Sequence, residues 1–342
     1  IENPLATKLL DDNFNNEKIV FIKMDPKNKD EFAGKEALDY WGNVDLYIGG
    51  SEHATGHLLY SRFWVKFLFD RGFISVDEPF KKLINQGMIL GESAFVQRSK
   101  DGKTLISAGC VKDLEVQGLH CDISMVSVNN ELDLEAFVAW RPEYQNAKIV
   151  KEPDGSFKVR REVEKMSKSK FNVVNPDDIC NQYGADTLRL YEMFLGPLEQ
   201  SKPWNTDGIT GVHNFLKKFW NLFHNESGFN VTDTKPNKNS LKILHKTIKK
   251  VNSDIESFSF NTCVSAFMIC VNELSSLNEK SSTVLRNLCL LMSPFAPHIC
   301  EEIWSKFGES DSISNQDFPI HDESLLIEDE FEYPISFNGK LR

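Results

Sequence analysis

Val44-Asp45-Leu46-Tyr47-Ile48-Gly49-Gly50-Ser51-Glu52 is a short apolar run that stops on two glycines and a capping residue. Val44 to Ile48 reads as a buried strand. Ser51 can cap the helix that follows, over Glu52 to about Asp70, with Gly72 as its stop. Leu58, Leu59, Phe63, Phe67 and Leu68 recur there at helical spacing, so that face is expected to be core. A strand that ends in glycines and enters a helix is the phosphate- and ribose-binding corner of an open α/β sheet. Glycine lets the backbone approach a ligand, and a first-turn carboxylate such as Glu52 accepts hydrogen bonds from ribose hydroxyls. His53 and His57, four apart, share a helix face close to the carboxyl end of the strand. That pair suits a metal half-site, two satisfied polar residues, or, behind the glycines, the wall of a nucleotide pocket.

Working outward, residues 1–22 are polar and irregular apart from Ile19-Val20-Phe21-Ile22, and helix signals run from Asp30 to Tyr40. Gln86 to Gly91 reads as a further strand. From Glu92 to about Val163 the chain turns to charged, hairpin-like pieces, with Lys100-Asp101-Gly102-Lys103 and Pro153-Asp154-Gly155-Ser156 as turns. Cys110, His120 and Cys121 lie in this region at spacings that fit no zinc template. Glu164-Lys165-Met166-Ser167-Lys168-Ser169-Lys170 comes next, between a strand-like stretch (Ser156 to Arg161) and a helix start at Asn175-Pro176-Asp177-Asp178. Two ammonium groups three residues apart on a small-residue loop suit a polyphosphate whose charge moves during reaction; a solvated basic loop is the bland alternative.

Beyond the loop the pattern is helical. Pro176–Tyr183 and Ala185–Leu195 are split by Gly184, and Val212 to about Phe223, Ser240–Phe258, Asn261–Leu274 and Ser282–Phe307 follow, with Pro294 and Pro297 bending the last. Cys263, Cys270, Cys289 and Cys300 fall at apolar positions and are read as packing residues. Lys242, Lys246, Lys249 and Lys250 lie on or near one face of the Ser240–Phe258 helix, opposite an apolar stripe. They form either a solvated face or a contact for an RNA backbone.

With 342 residues the chain is long enough for more than one core. Its seven cysteines contain no C-x-x-C pair and argue against a disulfide framework. No apolar run is long enough to span a bilayer, so a cytoplasmic location without membrane attachment is expected. The net charge of -11 leaves nucleic-acid binding to a local basic patch.

Lys165-Met166-Ser167-Lys168-Ser169 resembles the signature loop of class I aminoacyl-tRNA synthetases. Asp45 to Phe63 is similar to the G-G-x-E-H-A-x-x-H-L-L-Y-x-R-F segment of the bacterial leucyl-tRNA synthetase family. Gln86 to Leu90 resembles that family's Q-G-M-[IV]-L strand, Tyr183 to Arg189 its stem-contact segment, Leu288 to Glu302 the closing helix of its anticodon-binding domain, and Ser336 to Arg342 its V-N-G-K-x-R strand. The resemblance implies a fold: an α/β partial Rossmann-type catalytic domain with a small α+β insertion, followed by an all-α anticodon-binding helix bundle. The expected divisions are an irregular segment at 1–22, the second Rossmann half at 23–91, the insertion at 92–163, loop and stem-contact helices at 164–205, the bundle at 206–308 and an acidic tail at 309–342.

It also implies an activity, leucine plus ATP giving leucyl adenylate, then transfer to tRNA(Leu), with Mg²⁺ accompanying ATP. Lys165 and Lys168 would stabilise the departing pyrophosphate, Ser167 and Ser169 would shape the loop, and Met166 would contact adenine. Gly49, Gly50, Glu52 and His53 would hold the adenylate, His53 and His57 the leucine, and Lys242, Lys246, Lys249 and Lys250 the tRNA; no metal ligands are expected. No His-Ile-Gly-His tetrapeptide or editing domain is present in the sequence. The chain is therefore expected to be a C-terminal-half fragment, inactive alone. A noncatalytic tRNA-binding fragment and one subunit of a split synthetase, partnered by a chain with the N-terminal half, are the alternatives.

Overall fold

The structure, a computed structural model, describes residues 24–31, 33–50, 53–112, 114–327, 336–337 and 340–341. The expected irregular segment 1–22, the Ser51 cap and Glu52 lie outside them. The chain forms two compact units, residues 1–89 with 199–202, and residues 90–198 with 203–342.

In the first unit, helix α1 (Lys35–Trp41) precedes strand β1 (Tyr47–Gly50), which pairs in parallel with β2 (Leu83–Gln86), Tyr47 opposite Leu83 and Gly50 opposite Gln86. Parallel neighbours require a crossover, and here it is helical. It begins with a π-helical turn (Ala54–Leu58) and continues as α2 (Leu59–Asp70), closed at Gly72 with φ 74°. The spacing alone indicated an unbroken α-helix. Gly56, a weak helix former, lies in the middle of the wider turn, and such turns are frequent at functional sites.

Among the described residues, Val65, Leu68 and Ile74 form one core cluster of this unit, with Leu38 and Val76 against them. Of the apolar stripe expected to be core, Leu68 is buried, but Leu59, Phe63 and Phe67 are 62%, 58% and 39% exposed. The helix carries two apolar faces. Val65 and Leu68, three apart, take the buried one, while the residues at four-residue steps run down the other. Periodicity reveals that a stripe exists, not what covers it.

The second unit opens on a mixed sheet. Strand β3 (Ile89–Ser99) pairs antiparallel with β5 (Val116–Cys121), with β7 (Arg160–Lys165) and, through Gln97 and Arg98, with β4 (Thr104–Ile106); β6 (Lys148–Val150) lies parallel to β4. Ala94, Val96, Leu105, Cys121, Phe137 and Phe157 form the core between this sheet and α3 (Leu134–Trp140), whose start is capped by the Asp133 carboxylate. Strand β7 starts later than the Ser156–Arg161 stretch read from sequence and ends on Lys165. Its register is set by the long strand β3, since Leu90 faces Lys165 and Phe95 faces Arg160.

The remainder is helical: α4 (Pro176–Tyr183), α5 (Ala185–Phe194), α6 (Thr206–Phe223), α7 (Lys238–Glu256), α8 (Phe260–Ser276), α9 (Ser282–Met292) and α10 (Pro297–Lys306). Asn175 caps α4 by accepting from the Asp177 N–H at 3.1 Å, as its sequence position indicates. Leu244, Ile248, Val251, Phe267, Val271, Leu285, Leu288 and Met292 are essentially inaccessible, and Cys263, Cys270, Cys289 and Cys300 are buried among them. The last element is two helices and not one bent one. Pro297 lacks an N–H and so begins α10 instead of continuing α9. The described residues include no helix long and apolar enough to cross a membrane.

The exposed stripe of α2 has a measurable consequence. The chain is expected to bind a hydrophobic dye and to self-associate as concentration rises, and Phe63→Glu with Phe67→Glu should suppress both without changing the circular dichroism. Equal dye binding and light scattering before and after substitution would place the sticky surface elsewhere.

Candidate active site

The loop from Lys165 to Lys170 grows directly out of β7. Three ammonium groups within six residues repel one another, and the structure treats them differently. Lys170 donates to Glu164 at 2.7 Å, and His120 on β5 bonds the other oxygen of that carboxylate at 3.0 Å. Contact with Lys170, and then with Ser93 and His120, pulls the Glu164 carboxyl down to about 2. Lys165 and Lys168 are exposed, and neither is ion-paired among the described residues. Ser167 and Ser169 share a hydroxyl–hydroxyl bond of 2.9 Å, and Lys168 to Lys170 form a single 3₁₀ turn.

Beneath the loop lies Asn172, 2% exposed. Its Oδ1 accepts the Ser167 N–H at 2.9 Å, while its Nδ2 donates to Ser93 Oγ at 2.9 Å and to the Lys165 carbonyl at 3.3 Å. Phe171 has φ 54° and ψ 35°, a left-handed conformation uncommon for a bulky residue. Its ring stands edge-on to Trp140 at 4.7 Å, and its carbonyl accepts the Ile123 N–H at 3.2 Å. Glu164, Lys170 and Asn172 did not emerge from the sequence as site residues. Lys170 differs from Lys168 only by what β7 places next to it, and a lone Asn after a basic loop carries no periodic signal.

In the first unit, Gly49 and Gly50 close β1, and His53 and His57 stand at and within the π turn. The Tyr47 hydroxyl bonds His57 Nε2, and their rings stack at 5.6 Å. The rings of His53 and His57 are 6.4 Å apart and nearly perpendicular. Tyr47 was read only as a strand residue, yet its hydroxyl fixes the orientation of the candidate pocket histidine.

Lys249 pairs with Glu323 at 2.7 Å, and Lys250 with Asp254 one turn along α7 at 2.5 Å. Among the described residues no group of three or more His, Cys, Asp and Glu is arranged to hold a metal ion.

Residues 155–202, which carry the loop, match the family described as "tRNA synthetases class I (I, L, M and V)"; residues 237–342 match "Anticodon-binding domain of tRNA ligase". The chain is 62% identical over 322 residues to the leucine–tRNA ligase of Flavobacterium psychrophilum, covering 93% of this chain and 33% of that protein. This chain is a leucine–tRNA ligase homologue. The ligase of Porphyromonas gingivalis is 58% identical over 319 residues, again across 93% of this chain and 34% of its relative. The homologue thus spans about a third of the length of these aminoacyl-tRNA synthetases. A solved ternary complex of Agrobacterium radiobacter K84 agnB2 LeuRS with tRNA and LeuAMS is similar in structure, with a TM-score of 0.63 and 26% identity over 95% of this chain and 34% of that one.

The Glu164 contacts give this ligase homologue an acid-sensitive loop anchor. Because the folded-state carboxyl lies below its ordinary value of 4.5, its stabilising contribution is complete above that pH and is lost as pH falls from about 4.5 to about 2. Urea unfolding of the wild type and of Glu164→Gln should therefore converge as pH drops through this window. A stability difference that stays constant from pH 6 to pH 3 would show that the contacts do not depend on the charge.

Proposed function

We propose that the chain serves the ATP-dependent activation of leucine and its transfer to tRNA(Leu), contributing the loop cations and the strand–glycine–helix corner. The observation that carries this reading is the pair of exposed ammonium groups, Lys165 and Lys168, on a loop whose third lysine is neutralised by Glu164. The leucine carboxylate attacks the α-phosphate, pyrophosphate leaves, and the negative charge gathering on it meets Lys165 and Lys168. No covalent enzyme intermediate is needed, so the work is positioning and charge stabilisation. Ser167 and Ser169 hold the loop's shape, and the Met166 backbone faces adenine. Gly49, Gly50, Glu52 and His53 receive the adenylate, and His57, oriented by Tyr47, lines the leucine pocket with His53.

On this reading residues 23–91 are the second Rossmann half, 92–163 an insertion, 164–205 the loop and its following helices, and 206–308 the anticodon-binding bundle. Mg²⁺ would come with ATP. The described residues supply no carboxylate cluster for it, and no step here runs through it. The basic face on α7, Lys242, Lys246, Lys249 and Lys250, carries the RNA contact.

Since the chain spans a third of its relatives' length, we infer that by itself it gives only trace leucine-dependent ATP–pyrophosphate exchange, and that full activity needs the remaining ligase sequence, in the same chain or a second one. Robust exchange by the purified chain would overturn that inference. In a ligase carrying this sequence as its corresponding third, Lys168→Ala should lower kcat on the order of 100-fold, roughly 3 kcal/mol, with the KM for ATP little changed. A rise in KM alone would make the loop a ground-state binding element. Lys246→Ala should weaken tRNA binding and reduce its salt slope by about 1, with adenylate formation intact. Binding of tRNA by the chain without any activity in the assembled ligase would favour the noncatalytic reading.

A further inference from the structure

We propose that Asn172 is the positioning residue of the signature loop, pinning the backbone on both sides of Met166 so that Lys165 and Lys168 stand at a set spacing before any phosphate arrives. The inference rests on the preceding reading only in taking those two lysines as the phosphate contacts.

Three observations carry it. The first is saturation. A carboxamide has two N–H donors and an acceptor oxygen, and here all three are engaged: the oxygen with the Ser167 N–H, the NH₂ with Ser93 Oγ and the Lys165 carbonyl. Only one orientation of the amide serves, because the Ser167 N–H can only donate and the Lys165 carbonyl can only accept. Since the group is buried, any other orientation leaves polar atoms unsatisfied, so the loop backbone at 165 and 167 is held to one geometry.

The second is clearance. A Cβ on Gly91 would lie 2.5 Å from the Asn172 carbonyl oxygen and 3.0 Å from Met166 Cγ, so β3 is bare where Asn172 and Met166 rest on it. The third is direction. The left-handed backbone at Phe171 reverses the chain between the loop and Asn172, and packing against Trp140 together with the Ile123 bond maintains that reversal. A buried Asn serving the fold alone would tie elements of the core to each other. This one bonds two residues of the loop and one of the sheet.

Hydrogen–deuterium exchange on the full chain tests this for wild type, Asn172→Asp and Ser93→Ala. Asp keeps the acceptor for Ser167 but turns a lone pair on the Lys165 carbonyl. The loop peptide should exchange about 10-fold faster, and peptides from α7 to α9 should be unchanged. Ser93→Ala removes one partner of the amide together with the Ser93 contact to Glu164, and should give a smaller increase of the same sign. If Asn172→Asp exchanges faster everywhere, Ser93→Ala decides: a local increase supports the inference, and none overturns it. Adding ATP to a ligase that carries this sequence as its corresponding third separates the two proposals. ATP should slow loop exchange in wild type, and Asn172→Asp should require a higher concentration for the same protection. No protection in wild type with a freed loop in the variant sinks the phosphate reading and leaves the positioning role standing. Loop exchange that is identical in all three proteins removes it.

Discussion

Cations can be gathered on a short loop only if something holds the backbone against their mutual repulsion. Glu164 is that anchor here, the last acid of β7, bonded on one side by Lys170 and on the other by His120. The carboxylate removes one of the three positive charges from the problem and ties the turn back to the sheet. At contact distance unlike charges attract by several kcal/mol even where screening is substantial, and the pair is only partly exposed. Everything that follows, from the single 3₁₀ turn to the buried amide beneath it, builds on a loop whose start and end are already joined.

The strand–glycine–helix corner is organised by a different device. There a hydroxyl on the strand, Tyr47, reaches the imidazole of His57 on the crossover, while Phe80 stacks on the tyrosine ring at 4.2 Å. The widened turn before α2 places the two histidine rings edge to face. Strand, turn and helix thus fix the direction of one imidazole, and Arg62 and Lys66 on α2 are fastened in turn to Glu78, whose carboxyl they hold down at about 2.

Much of this was legible before any coordinates. The run from Val44 to Gly50 announces a strand, Asn175-Pro176 announces a helix start, and the four helical cysteines fall at apolar positions that read as packing residues. Each of these is a local signal, carried by neighbours within a turn or a pleat. What escaped is non-local. Lys168 and Lys170 are the same residue in a sequence, and only the pairing of β3 with both β7 and β5 assigns one to an acid and the other to solvent. Asn172 is defined by Ser93, 79 positions away. The exposed side of α2 escaped for the same reason, since an apolar face in a sequence does not say what lies against it.

Asp186 spans a longer interval still. Its carboxylate accepts the Ile299 N–H at 2.7 Å and the His298 N–H at 3.3 Å, and so serves as the N-terminal cap of α10 from 112 and more residues upstream. Helix caps are commonly supplied by the adjoining residue, so that a helix carries its own start signal. In α10 that signal is delivered by α5. The start of α10 is therefore completed only where α5 lies against it, so a substitution at Asp186 is felt by a helix more than a hundred residues further along the chain.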